Sequence, residues 1–194
     1  MNRFTPAQRS GIAIAAATAL NLPFGTIYAF SVFLKPMEAM LAIGRTEMTI
    51  VFGLASVSFT AGMNFAPRLY RIMSPVALLL LCGVTSAVGL YLTATATSLA
   101  HFAIGYGVLF GLGGGCVFIV VQQGVNQTIT TMSGLVNGYV VSLFPIGAMI
   151  GTPLFGWAIA THGLRATMFG LAVVIAVAAV IAAGLIRLAD IRMH

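Results

Sequence analysis

Ionised side chains are nearly missing from this sequence: three acidic and nine basic residues stand among 194, so that 6% of the chain is charged. Soluble domains carry about 25% charged residues. Without that coat, a water-exposed surface would present apolar patches that soluble monomers do not tolerate, so a water-soluble domain is excluded. Runs of basic residues are also missing. The Lys and Arg residues stand singly or in pairs between apolar stretches, and the net charge of +6 reads as topology-setting charge, not as a nucleic-acid-binding stripe. Only two cysteines occur, Cys82 and Cys116, both inside apolar segments, which argues against a disulfide framework and leaves the redox compartment unread. Enzyme signatures are missing too. There is no HExxH, GxSxG or Walker loop, and the glycine run ending at Gly115 lies inside an apolar stretch rather than after a strand. Neither catalysis nor a cofactor is expected.

What is present is apolar length. The chain is 60% hydrophobic with a mean hydropathy of +1.06. A hydrocarbon core of about 30 Å needs about 20 apolar residues in a helix. Six stretches meet that test, roughly at 11–34, 48–66, 75–95, 99–121, 134–160 and 166–186. The expected fold is an all-α membrane protein, a six-helix bundle forming one domain over 1–194. Strands of a β-barrel would alternate apolar and polar residues, whereas 76–81 and 171–181 are continuously apolar. The first stretch exceeds the roughly 7–15-residue apolar core of a signal peptide and reads as a retained helix. With six spans, Arg3, Arg9, Arg68, Arg71, Arg187 and Arg192 fall on one side and Lys35, Arg45 and Arg165 on the other. The positive-inside rule then places both termini in the cytoplasm, and a bacterial inner membrane is the expected location.

Lipid supplies no hydrophobic drive between helices, which must associate through small residues and interhelical hydrogen bonds. Of 22 glycines, Gly107, Gly111 and Gly115 recur every fourth residue in the fourth stretch, and Gly147 and Gly151 do so in the fifth. These read as helix-packing faces, and such faces can also slide during alternating access. Pro23, Pro145 and Pro153 interrupt spans and free backbone carbonyls. Asn21, Gly25, Tyr28 and Ser31 form a stripe on the first helix. At mid-membrane depth such polar groups need a partner helix or a wet cavity, so this stripe serves either substrate contact or interhelical bonding. Tyr106, Tyr139 and Asn137 offer similar groups, while Gln122 and Gln123 read as solvated at a span end. No Asp, Glu, Lys or Arg falls mid-span, and neither His101 nor His162 is placed like a proton relay. Ten methionines, Met37 and Met40 among them, raise a Cu(I) reading, but their scatter suits packing better. No metal site is expected.

Four segments carry a family resemblance. Residues 25–36 (GTIYAFSVFLKP), 105–115 (GYGVLFGLGGG), 133–138 (SGLVNG) and 163–169 (GLRATMF) resemble, in order, the first, fourth, fifth and sixth helices of the oxalate/formate antiporter group of the major facilitator superfamily, which is itself similar to monocarboxylate transporters. Gly138, Gly147, Gly151, Pro153 and Gly156 resemble the superfamily's antiporter motif, with Thr152 inserted before the proline. The loop APRLYRIM at 66–73 keeps Arg71 of the family's conformational latch but has Tyr70 in place of its Asp and Met73 in place of its second Gly. The resemblance covers the first of two six-helix halves. It implies a half-size transporter subunit that pairs with a second six-helix membrane chain to move a small organic anion, a mono- or dicarboxylate. Tyr28 and Asn21, with Tyr106 and Tyr139, would line the pathway. The family's anion-binding basic residues lie in its second half, so a heteromer is expected over a homodimer. A non-transporting accessory subunit of a larger complex is the alternative, and a copper or other metal carrier a remote third.

Overall fold

A computed structural model describes residues 4–189; Arg3 and Arg192 lie outside the described residues. Within them the chain is an all-α bundle of six long apolar helices without a strand: α1 (Pro6–Leu41), α2 (Arg45–Leu69), α3 (Pro75–Ala94), α4 (Leu99–Thr128), α5 (Ser133–His162) and α6 (Leu164–Leu188).

Local chemistry sets most of the helix starts. The hydroxyl of Thr5 accepts from the Gln8 backbone N–H, and the Gln8 side chain returns a bond to the Thr5 N–H, a capping box ahead of Pro6. Ser74 caps α3 in front of Pro75, and Ser98 caps α4. Gly163, at φ +82°, reverses the chain between α5 and α6 within one residue, a conformation that any side chain would strain.

The helices outlast the apolar runs. Residues 35–47 read as a break in sequence, yet α1 continues through Lys35 and Pro36 to Leu41. The turn itself is only Ala42 to Gly44, with Ala42 left-handed at φ 52°. Glu38, still on α1, pairs with Arg45 at the start of α2, Nε to Oε1 2.5 Å. Likewise α4 extends past Val121 through the polar residues to Thr128. Polarity marks where the hydrocarbon ends, whereas backbone hydrogen bonds continue until a turn interrupts them.

The closest helix crossings are made by glycine. A Cβ on Gly111 would lie 2.6 Å from the Ala55 carbonyl oxygen, and one on Gly115 would overlap the Phe59 backbone. These two positions join α4 to α2, with Gly62 opposing Leu112 and Cys116 from the other side. Gly107 meets only the side chain of Leu54. Gly89 and Gly105 face each other's carbonyls across α3 and α4, and Gly83 abuts Ala179 across α3 and α6. Gly25 and Gly147 close the α1–α5 crossing against Phe144 and Leu22. Gly151 differs, because a Cβ there would meet Phe155 of its own helix. Where lipid is as apolar as leucine, backbone approach of this kind is the main source of helix association. Helix α1 lies centrally, touching α4, α5 and α6, while α2 and α5 are the least buried spans.

Candidate functional site

The site begins at a defect in α1. Pro23 supplies no N–H to its helix, and residues Gly25–Ala29 tighten into a 3-10 turn. The hydroxyl of Thr26 donates to the Pro23 carbonyl at 2.7 Å, and the Gly25 N–H reaches both Asn21 and Pro23 carbonyls. Three residues per turn instead of 3.6 rotate the later part of the helix relative to its start. The residues of the stripe expected at Asn21, Gly25 and Tyr28 all meet α5 but differ in burial. Asn21 is fully buried, Gly25 is wedged against α5, and Tyr28 is 61% exposed.

Tyr28 stands at the wall of a groove of about 490 Å³ assembled from four helices. Phe59 of α2, Phe118 of α4 and Phe144 of α5 form its aromatic lining, with Met63 and Pro145 beside them. The Tyr28 ring meets Phe144 edge-on at 6.2 Å, Phe118 meets Phe144 at 5.2 Å, and Phe59 lies 6.1 Å from Phe118 and 5.9 Å from Phe144. Edge-to-face sets of this kind hold their geometry through the ring quadrupole. The lining leaves the Tyr28 phenol as its hydrogen-bonding side chain. Such a groove can admit a small, largely apolar solute and offer one donor to a carboxylate oxygen. Among the described residues no charged side chain is buried, so the groove has no cation of its own. Sequence reasoning missed Phe59, Phe118 and Phe144, because phenylalanine in a membrane span carries no signal separating a groove wall from a lipid-facing residue.

The other expected pathway residues lie elsewhere. The Asn21 amide nitrogen donates to the Val140 carbonyl at 3.3 Å, joining α1 to α5, and its oxygen has no partner. Tyr139 shares a 2.8 Å hydrogen bond with Thr18 across the same pair of helices. Gln122, expected to be solvated, instead bonds Asn137 and ties α4 to α5. Tyr106 is 1% exposed inside a π-helical stretch of α4, Ala103–Phe110, with its ring among Phe30, Phe102 and Phe110 and its hydroxyl unpartnered. Asn21, Gln122, Asn137 and Tyr139 thus form polar ties along α5, of which Tyr28 is not a part. Asn21→Ala is expected to lower bundle stability by about 1 kcal/mol, the scale of interhelical hydrogen bonds in membranes. Thermal unfolding in detergent measures this, and an unchanged midpoint would remove Asn21 from the ties.

A second groove, of about 480 Å³, runs between α1, α5 and α6 along Pro23, Gly147, Gly151 and Gly170. Its lining is almost wholly apolar. At the turn outside the spans, burial pushes the Tyr70 phenol well above the usual tyrosine range, so it stays protonated. No group of three or more His, Cys, Asp or Glu able to hold a metal occurs among the described residues.

No family model matches the chain. It is 22% identical over 125 residues to the uncharacterized MFS-type transporter YhjX of Escherichia coli (strain K12), a match covering 64% of this chain and 31% of that protein. It is 24% identical over 149 residues to monocarboxylate transporter 13 of Rattus norvegicus, covering 76% of this chain and 34% of that one. The chain therefore spans about a third of the length of the curated relatives it matches. The chain is thus a bundle of six apolar helices with distant similarity to transporters of the major facilitator type.

Proposed function

We propose that this bundle forms one wall of a permeation pathway for a small organic anion, a mono- or dicarboxylate, and that a complementary six-helix bundle closes the pathway and supplies its positive charge. The observation that carries this reading is the aromatic groove of α1, α2, α4 and α5, which presents the Tyr28 phenol and contains no buried cation among the described residues. A carboxylate moved from water into such surroundings loses its solvation and needs a paired charge. One phenol cannot provide that. The likeness to a protein named as a monocarboxylate transporter supports the substrate class. A different partner bundle suits the arrangement better than a second copy, since a copy brings no cation to the groove. Tyr139 and Tyr106 act in this reading by holding helix positions, and Tyr28 by touching the anion.

Uptake of radiolabelled lactate and oxalate into vesicles from membranes expressing the chain tests the role of Tyr28. Tyr28→Phe keeps the ring and removes the donor. A hydrogen bond to a charged group contributes about 1.5–3 kcal/mol, so uptake is expected to fall about tenfold or more. Equal uptake by an equally abundant variant would count against substrate contact. In the same reading both termini face the cytoplasm of an inner bacterial membrane, so a fluorescent protein fused after His194 is expected to light up and a secreted phosphatase fused there to stay inactive.

A further inference from the structure

The groove between α1, α5 and α6 differs from the aromatic one in what it offers. Its two hydroxyls are already engaged within their own helices, Thr26 donating to the Pro23 carbonyl and Thr167 to the Gly163 carbonyl. The walls therefore hold no free side-chain donor apart from His162 at one end. Glycine leaves room, since a Cβ on Gly170 would meet nothing within 4 Å. The groove is also one leaflet deep. It runs from His162, where α5 ends, to Gly147 at the midpoint of that 30-residue helix, about 22 Å at the rise of an α-helix. There Gly147 packs against the Leu22 carbonyl at the α1–α5 crossing. Half a bilayer, headgroups included, is about 20–22 Å. A transmembrane helix would need a groove through both leaflets, whereas a lipid chain needs only one. The mouth carries interfacial chemistry. Trp157, 59% exposed, meets the His162 ring edge-on at 5.6 Å, and tryptophan favours the headgroup level. Arg165 is exposed in the first turn of α6, one residue before Ala166 of the lining, and a guanidinium pairs with phosphate through two parallel hydrogen bonds.

We propose that this groove is a lipid site, holding one acyl chain of an anionic diacyl phospholipid whose phosphate sits at Arg165. The chain enters from the leaflet at the α5–α6 turn and lies along Leu154, Phe155, Leu171 and Val174. Two features select this occupant over a second copy or a partner helix: the depth of a single leaflet, and a basic residue at the mouth to match a lipid phosphate. A zwitterionic lipid fits the apolar walls equally well, but its own cation offsets the attraction of Arg165, so the headgroup decides the preference. The site stands independently of the transport reading. Its consequence is mechanical, since a bound chain fills the gap that glycine leaves between α5 and α6 and links the two helices to α1.

The full chain, purified in mild detergent and offered equal amounts of phosphatidylglycerol and phosphatidylcholine, would be weighed intact by native mass spectrometry. The expected result is one phosphatidylglycerol per monomer, at about five times the occupancy of phosphatidylcholine, the factor that one basic residue contributes at a membrane surface. Arg165→Gln is expected to level the two lipids. Gly170→Phe, whose ring would enter the groove from an open position, is expected to lower both about fivefold or more. Ala166→Leu, at an exposed position of the lining, gives the same readout should Gly170→Phe fail to fold, and unfolding midpoints establish which variants are folded. Equal occupancy of the two lipids on the unaltered chain, a phosphatidylglycerol preference that survives Arg165→Gln, undiminished lipid on a folded groove-filling variant, or a lipid-free dimer would each overturn the proposal.

Discussion

Gly115→Val is expected to abolish the folded bundle, while Gly53→Ala is expected to leave it intact or stabilise it. The difference lies in what a new Cβ meets. At Gly115 it would fall on the backbone of Phe59, which cannot move without dragging α2, whereas at Gly53 it would meet nothing within 4 Å. Overpacking a filled site costs about 1–3 kcal/mol when side chains can shift; where the obstacle is backbone, the upper end of that range or more is expected. Alanine at an open helical site removes the conformational cost of glycine, about 0.5–1 kcal/mol. Gly156→Ala and Gly170→Ala, also facing open space, serve as further references. Size-exclusion profiles and thermal unfolding of the detergent-purified variants measure the contrast. A Gly115→Val bundle as stable as the parent would mean that the α2–α4 crossing is not held by this contact.

The second large effect concerns the bundle on its own. Reconstituted as a verified monomer in synthetic vesicles, the chain is expected to move no more lactate or oxalate than vesicles lacking protein. The groove is one-sided, since Tyr28 is largely exposed and no buried cation occurs among the described residues. An anion entering it would face hydrocarbon opposite the phenol and would lose several kcal/mol of solvation without return. Adding a six-helix partner that carries an intramembrane Arg or Lys is expected to restore uptake. Carboxylate flux through the lone monomer would overturn the two-bundle reading, and co-purification with a large enzyme complex lacking such a partner would favour an accessory role instead.

Much of the fold was legible because membrane insertion is decided by composition over a window of about 20 residues, a local property. Ionised groups were confined to span ends; of the glycines spaced at Gly107, Gly111 and Gly115, the last two lie against α2 backbone and the first against the Leu54 side chain. Helix ends were less legible. Hydropathy senses the lipid boundary, and so it missed the continuation of α1 through Pro36 to Leu41 and of α4 to Thr128. The surroundings of the candidate site were least legible. A uniform helical period put Asn21 and Tyr28 on one face, and both meet α5, but Asn21 is sealed in the α1–α5 crossing whereas Tyr28 stands at the groove.

By itself, then, the sequence determined the solvent of this protein and the number of its spans, because each of these depends on side-chain types within one helix. Only the tertiary structure decided which helix each glycine meets and that Phe59, Phe118 and Phe144 line one groove with Tyr28. These are relations between helices far apart in the chain, and they depend on the rotation of each helix about its axis. In a span that is apolar on every side, no pattern of polarity fixes that rotation; it is set by where backbones can approach and where a helix departs from its regular turn.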